Sequence, residues 1–510
     1  MKNIVNIINF VRACEPRVED DSFLFTTTEE ELKLCRKYNF NSTLLLQYDA
    51  LLDERYVSLA KEYIDITEIG LWLEVVEPLC TAAGIPWRGR FPWDWHCNVG
   101  FLVGYEKHER EKLIDEAFNR FKDIFGYYPS SCGSWHIDAY SLSYMYEKYG
   151  ITASCNCKEQ YGTDGYTIWG GIYSGAYYPS KNNMLSPAVS PENQINVPVF
   201  RMLGADPIHQ YDMNIGGCQQ VTSLEPVYGN SGCNKDWVKW YLNENFNNKG
   251  ISLSYTQTGQ ENSMGWERIS KGLPMQLEIL ENMKNEGKIE IMTLSDSGKW
   301  FKANFAVTPP QAQMFDSDSE GNSIKTLWYN CRNYRINLHY EKGMLWIRDL
   351  YLFSDSFKEK FLTQKEETPN CSYYTLPVID GYRFSDKNIR AGLYFCRHGH
   401  NLSFSSPWRT FEKDSCAHVY LDEELKIRAS EKSVTIKCPF ESWYLEAVNA
   451  ENIELPYIEA EGKSLRMKFK SFGEEYFNYK LVLSKGYFSN SLNGFIIFPE
   501  DGEIEMIFPE

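Results

Sequence analysis

Two short stretches pair an acid with a histidine across one intervening residue: Asp94-Trp95-His96 and His136-Ile137-Asp138. Each sets a carboxylate beside an imidazole that titrates near neutrality, which is the equipment of general acid–base hydrolysis. A third acid, Glu15, directly follows an apolar run and stands between Arg12 and Arg17. A fourth, Glu261, ends the amide-rich stretch Gln257-Thr258-Gly259-Gln260. Glu15, Asp94, His136, Asp138 and Glu261 are therefore the candidate catalytic groups. Arg17, Asp49, Glu74, Arg90, Trp93, His96, Trp135, Asp164 and Gln260 fall in these stretches or at the other strand ends and are the candidate substrate-binding groups. Structural roles compete with some of these. An ion pair with Arg12 or Arg17 would account for Glu15, and Asp138 precedes a helical stretch starting at Ala139, where Asp is a good N-cap.

All of these residues sit where an apolar, strand-like run ends. Strands are expected over 3–13, 43–46, 69–76, 131–135, 151–155, 196–202, 251–255 and 288–293. Helices are expected over 28–38, opened by the capping pattern Thr28-Glu29-Glu30-Glu31, and over 53–64, 106–125, 139–149, 235–246 and 268–286. This alternation points to parallel βαβ units and, with seven or eight strands, to a (β/α)7-8 barrel rather than an open sheet. In such folds catalytic groups project from the carboxyl ends of the strands. The last strand is read as running into a polar loop, Ser295 to Trp300.

After Pro309-Pro310 the pattern changes to short runs of alternating apolar and polar residues with almost no helix, the signature of a β-sandwich. The expected organisation is an α/β barrel domain over 1–308, a linker over 309–324 and an all-β, sandwich-like domain over 325–510.

A net charge of −17 disfavours a nucleic-acid partner, which needs clustered Lys and Arg. No stretch approaches the ~20 apolar residues that span a bilayer, so no membrane partner is expected. The amino-terminal apolar run is short and broken by Asn, unlike an export signal, and the cysteines show no disulfide framework; both point to the cytoplasm. Cys155 and Cys157 alone do not make a zinc site. Aromatic residues reach 15% of the chain, and flat rings match the apolar faces of sugars, so an oligosaccharide or glycoside is the expected partner. Nothing in the sequence marks an oligomer interface.

The stretches Phe10–Arg17, Trp93–His96, Gly133–Asp138, Gly162–Gly171 and Phe200–Pro207 give the chain a family likeness. It resembles the glycoside hydrolase/deacetylase (NodB-like) β/α-barrel superfamily, and most of all gut-bacterial proteins that join such a barrel to a C-terminal β domain. The resemblance implies a carbohydrate-active enzyme. It breaks at one point: NodB deacetylases hold a metal with an Asp-Asp pair on the first strand and a His-x-x-x-His motif. Here the first strand ends in Cys14-Glu15, and no two histidines stand four apart.

The leading expectation is a glycoside hydrolase using a carboxylate pair, His136 assisting, with no cofactor. Such a pair is roughly 5–5.5 Å apart for retention or ~6.5–9.5 Å for inversion. The alternative is a metal-dependent carbohydrate N- or O-deacetylase, with zinc or another divalent ion on His96, His136, Asp94 and Asp138. A second alternative is a non-catalytic glycan-binding protein.

Overall fold

Strand β1 (Lys2–Val11) carries Ile4, Val5, Ile7, Ile8, Phe10 and Val11, all buried, so it has no polar face to give to water. That composition suits a strand covered on both sides, as in parallel sheets. The computed structural model, which describes residues 1–421, 423–470, 476–492 and 494–508, sets β1 second from one end of the strand path in the amino-terminal half, where three other strands pair with it. One edge of β1 pairs with Leu253–Thr258. The other pairs first with Glu290–Met292 and then, from Ile8 onward, with β2 (Ser42–Leu46). The sheet continues through β3 (Thr67–Trp72), β4 (Ser131–Gly133), β5 (Ala153–Asn156) and Val199–Arg201, every pairing parallel.

The curved sheet is thus a path of parallel strands from Leu253–Thr258 to Val199–Arg201, and among the described residues no ladder joins these two ends. The expected barrel is open along one seam. A side chain crosses it: the Gln257 amide oxygen accepts from the Leu203 N–H at 2.8 Å, and its Nε2 donates to Thr258 O at 2.7 Å.

Helices α1 (Phe23–Lys37), α2 (Glu54–Glu62), α3 (Glu77–Ala82), α4 (Cys97–Gly100), α5 (Lys107–Phe125) and α6 (Ala139–Tyr149) lie between the first five strands. Two helices differ from expectation. The Thr28–Glu31 pattern does not open α1, which begins at Phe23. The Thr27 and Thr28 hydroxyls instead donate back to Phe23 O and Leu24 O one turn earlier, a bond open to interior threonines. The polar stretch Ser295–Trp300 is not a loop but belongs to the helix Leu294–Asn304, whose N-cap Thr293 accepts from the Asp296 N–H. Gly298 mimics a loop signal. In fact it lets that helix press against β5, since a Cβ there would lie 2.5 Å from Thr152 O.

From Gln311 onward, the described residues form two antiparallel sheets of ten and eight strands. A shared apolar core takes Ile336, Leu338 and Ile347 from one and Val419, Ile427 and Ile436 from the other, as in a sandwich. The strand Gln311–Phe315, which pairs with Lys325–Asn330, lies inside the stretch read as a linker. The two halves interlock. Strand β6 (Tyr166–Trp169) pairs in parallel with Cys371–Tyr374, and Phe361 and Tyr373 join the barrel-side core. Arg335 reaches back to Glu159 at 2.6 Å, fully buried. Among the described residues no helix is long and apolar enough to cross a membrane.

Candidate active site

A cavity of about 430 Å³ opens at the carboxyl ends of the barrel strands. Its floor is built around Arg12, the residue after β1. The Arg12 backbone N–H donates to Asn262 Oδ1 at 3.0 Å while Asn262 Nδ2 donates to Arg12 O at 2.8 Å, so two neighbouring strand ends are tied reciprocally. The guanidinium then forks onto Glu74, Nε and Nη2 each 3.0 Å from a carboxylate oxygen. Its Nη1 lies 3.0 Å from Glu261 Oε2 and donates to Ser263 Oγ at 3.1 Å, and its face lies 4.1 Å from the Trp93 ring. Glu74 also accepts from Gln47 Nε2 at 2.6 Å and Trp93 Nε1 at 3.0 Å, which leaves it saturated. Burial works against the Arg12 charge, but Glu261 and Glu74 more than offset it and hold the guanidinium above its ordinary range. Burial raises the Glu261 carboxyl above the usual carboxylate range, with Arg12 countering only part of the effect. Glu261 is thus a carboxyl inclined to keep its proton.

The same cavity is lined by Lys158, just after β5 and 2% exposed. Its Nζ is 3.5 Å from Glu225 Oε2, and Glu225 also accepts from Ser223 Oγ at 2.6 Å and Gln260 Nε2 at 3.4 Å. Burial opposes the Lys158 charge, yet Glu225 holds the ammonium above the ordinary lysine range. Trp93, Trp95, Trp135, Phe101, Tyr166 and Tyr228 supply the aromatic wall.

Of the candidate groups, Glu261, Arg17, Glu74, Trp93, His96, Trp135 and Asp164 line this cavity. Asp164 sits exposed at the rim with a left-handed φ of 56°. The others stand outside the lining. Glu15 is buried and gripped by Arg17, whose Nε donates at 2.6 Å and whose Nη2 makes a second, shorter contact. Burial raises the Glu15 carboxyl, but bonding to Arg17 outweighs it and holds the group below its usual range. Asp94 accepts from Arg90 Nε at 2.9 Å, Arg90 Nη2 at 2.8 Å and the His96 N–H at 3.2 Å. Against burial, these bonds bring its carboxyl down to about 2. Asp94 and Arg90 thus fold the tryptophan loop upon itself. Asp49 accepts from the Ala13 and Ala50 N–H groups, and Gln260 Nε2 donates to Glu225 Oε1 at 3.4 Å, both as supports. Asp138 caps α6 by accepting from the Ser141 N–H at 3.0 Å, and pairs with buried Arg110 at 3.0 Å. His136 lies behind the cavity wall, stacked on Phe101 at 4.3 Å.

Arg12, Lys158, Glu225 and Tyr228 were missing from the candidate set. Arg12 and Lys158 occupy strand ends, where the positional rule could have found them. Glu225 and Tyr228 lie in an irregular segment, and Pro369 and Asn370 come from the second half of the chain, so no local signal marks them.

The metal that the resemblance implies does not fit this floor. A divalent ion at the ends of the first and third strands would face the Arg12 guanidinium, with which Glu74 and Glu261 are already paired. His96 is the one histidine in the lining. A cationic side chain lies where an acid pair and two histidines would be needed to hold zinc.

No family model and no curated protein sequence matches the chain. Solved structures do. A Parabacteroides distasonis protein assigned as a glycoside hydrolase/deacetylase superposes over 74% of this chain and 90% of its own, with a TM-score of 0.55 and 15% identity. A Mycobacterium smegmatis protein assigned as a polysaccharide deacetylase matches over 59% and 91%, at a TM-score of 0.36 and 10% identity. A Clostridium thermocellum family 4 acetyl xylan esterase, solved with cobalt, matches over 60% and 94%, at 0.25 and 10%. The first of these shares its fold with this chain, in line with the resemblance. The other two are too distant to bear on this chain.

Proposed function

We propose that the protein is a carbohydrate-active hydrolase that removes an acyl group from a sugar bound at the barrel mouth. The observation that carries this reading is a buried ammonium, Lys158, in one cavity with the acids Glu225 and Glu261 and a wall of aromatic rings. Hydrolysis of an amide or ester builds negative charge on the carbonyl oxygen, and a fixed cation in a dry site stabilises it. In this reading Lys158 faces that oxygen, the Glu225 carboxylate takes a proton from the attacking water, and Glu261 donates one to the departing nitrogen or oxygen. The products are the free acid and the deacylated sugar. Trp93, Trp95 and Trp135 hold the sugar ring, with Arg17, His96 and Asp164 at the entrance.

Glycosidic cleavage is the second reading, favoured by Glu261 itself. A carboxyl raised by burial, with a second carboxyl lining the same cavity, is the pair of groups that glycosidases use. The two reactions leave different products. Purified protein is offered N-acetylated and O-acetylated oligosaccharides and aryl glycosides, while free acetate and new reducing ends are followed separately. Acetate release without chain cleavage, lost in Lys158→Met and Glu261→Gln, is the expected result. New reducing ends without acetate would replace the first reading by the second, and tight glycan binding with neither product would overturn both.

A further inference from the structure

Behind the wall of the cavity three soft or borderline donors meet. Cys97 opens α4 after the tryptophan loop, His136 follows β4, and Cys371 begins the strand that the second half of the chain lays against β6. They are 0%, 3% and 4% exposed. Cys371 Sγ is 3.5 Å from His136 Nε2, and the two sulfurs and a ring nitrogen all lie within 4.8 Å of one another. The surroundings are apolar: the His136 ring stacks on Phe101 at 4.3 Å, with Tyr166 at 5.3 Å and Tyr373 at 5.5 Å. The nearest further partner of Cys97 Sγ is Gly165 O at 3.8 Å, a weak contact for a buried thiol.

We propose that Cys97, His136 and Cys371 form a buried, three-ligand structural site for one thiolate-preferring d10 ion, zinc(II) or copper(I). Around a tetrahedral ion with Zn–S of about 2.3 Å and Zn–N of about 2.0 Å, sulfur and nitrogen ligands are spaced roughly 3.5 Å apart and two sulfurs roughly 3.8 Å. The separation between Cys371 and His136 matches that span without movement of either residue. Two thiolates with one imidazole select soft or borderline ions over magnesium or calcium. Binding exchanges the two thiol protons for the ion, so oxidation states are unchanged. The site is not the hydrolytic centre. Its ligands flank residues that line the cavity, since His96 precedes Cys97 and Asn370 precedes Cys371, and Phe101 and Tyr166 pack on His136. The ion would clasp the second half of the chain to the barrel and fix that wall in place. This inference stands independently of the reaction proposed above.

The test is metal content of the whole protein, purified without chelator under reducing conditions and reconstituted separately with zinc(II) and copper(I). About one ion per chain is expected, released by thiol-blocking mercurials, and falling at least tenfold in Cys97→Ser and Cys371→Ser. Cobalt(II) substitution of the wild-type protein is expected to give thiolate charge-transfer bands, a readout that survives if the variants misfold. Retention of neither ion after both reconstitutions, or cobalt spectra without thiolate bands, would overturn the site. So would a Cys97–Cys371 disulfide recovered from the natively purified protein by peptide mass mapping.

Discussion

Arg12 shows what one side chain contributes when its whole donor fork is used. It takes Glu74 bidentately, reaches Glu261 and Ser263, and stacks on Trp93 while 3% exposed. Breaking a buried ion pair from one side costs about 3–5 kcal/mol, because the partner charge stays behind unpaired. Arg12→Met leaves Glu74 and Glu261 facing each other, so a loss of that size is expected in denaturant titrations. Arg12→Lys keeps the charge but not the fork and should lose an intermediate amount. Equal stability of Arg12→Met and wild type would remove the guanidinium from the architecture of the floor. Glu261 carries a separate expectation. In the proposed reaction Glu261 donates a proton and its carboxyl is raised by burial, so hydrolysis is expected to fall as pH rises through that raised titration. Glu261→Gln should lower kcat by about 10²–10⁴-fold and erase that limb of the pH–rate profile.

At the scale of elements, the helix Leu294–Asn304 sets two effects of known size against each other. Gly298→Ala improves intrinsic helix propensity by about 1 kcal/mol. The new methyl would lie 2.5 Å from Thr152 O and 2.6 Å from Ala153 Cβ, atoms of or beside a buried strand that cannot yield cheaply. Overpacking of this kind costs about 1–3 kcal/mol, so the clash should win and the melting temperature should fall. A rise in melting temperature would mean that the helix stands off the sheet. The same helix shows where sequence legibility stops. Ser295, Asp296, Ser297 and Gly298 have loop composition, and the Thr293 cap together with packing against β5 holds them helical. Where one signal dominated, the reading was close: α6 spans Ala139–Tyr149, bounded by Asp138 and Gly150, and α5 ends at Gly126 in the left-handed conformation. Strand ends were legible because apolar runs stop there, and this rule led to Glu261, Glu74 and Trp93. It could not separate groups facing the cavity from groups such as Asp94 and Asp138 that brace it, since both kinds are polar and sit at the same positions. The open seam was illegible too, because it rests on which strands lack a ladder rather than on any residue within them.

Across the whole molecule, the barrel side and the sandwich are joined by buried charges as well as by strand pairing. Glu359, from the second half and 1% exposed, accepts from the Ala139 N–H at 3.0 Å, at the start of α6, and from the Met184 N–H at 2.8 Å. Burial, together with the neighbouring Asp138 carboxylate, pushes it up to about 8. In the unfolded chain it would titrate near the ordinary glutamate value of about 4.3. Below that value both states hold the proton, and the contribution of Glu359 to stability is fully present. Between there and about 8 the folded protein keeps a proton that the unfolded chain has released, so this stabilisation declines as pH rises and is gone above about 8. Glu359→Gln cannot release that proton. Its amide can serve only one of the two N–H groups as an acceptor, so the variant should be the less stable protein at about pH 5. The gap in melting temperature between wild type and variant should then narrow toward about pH 8, because only the wild type loses the Glu359 contribution. A gap constant across that range would mean that Glu359 is ionised throughout, and that its two N–H bonds outweigh the combined effect of burial and Asp138.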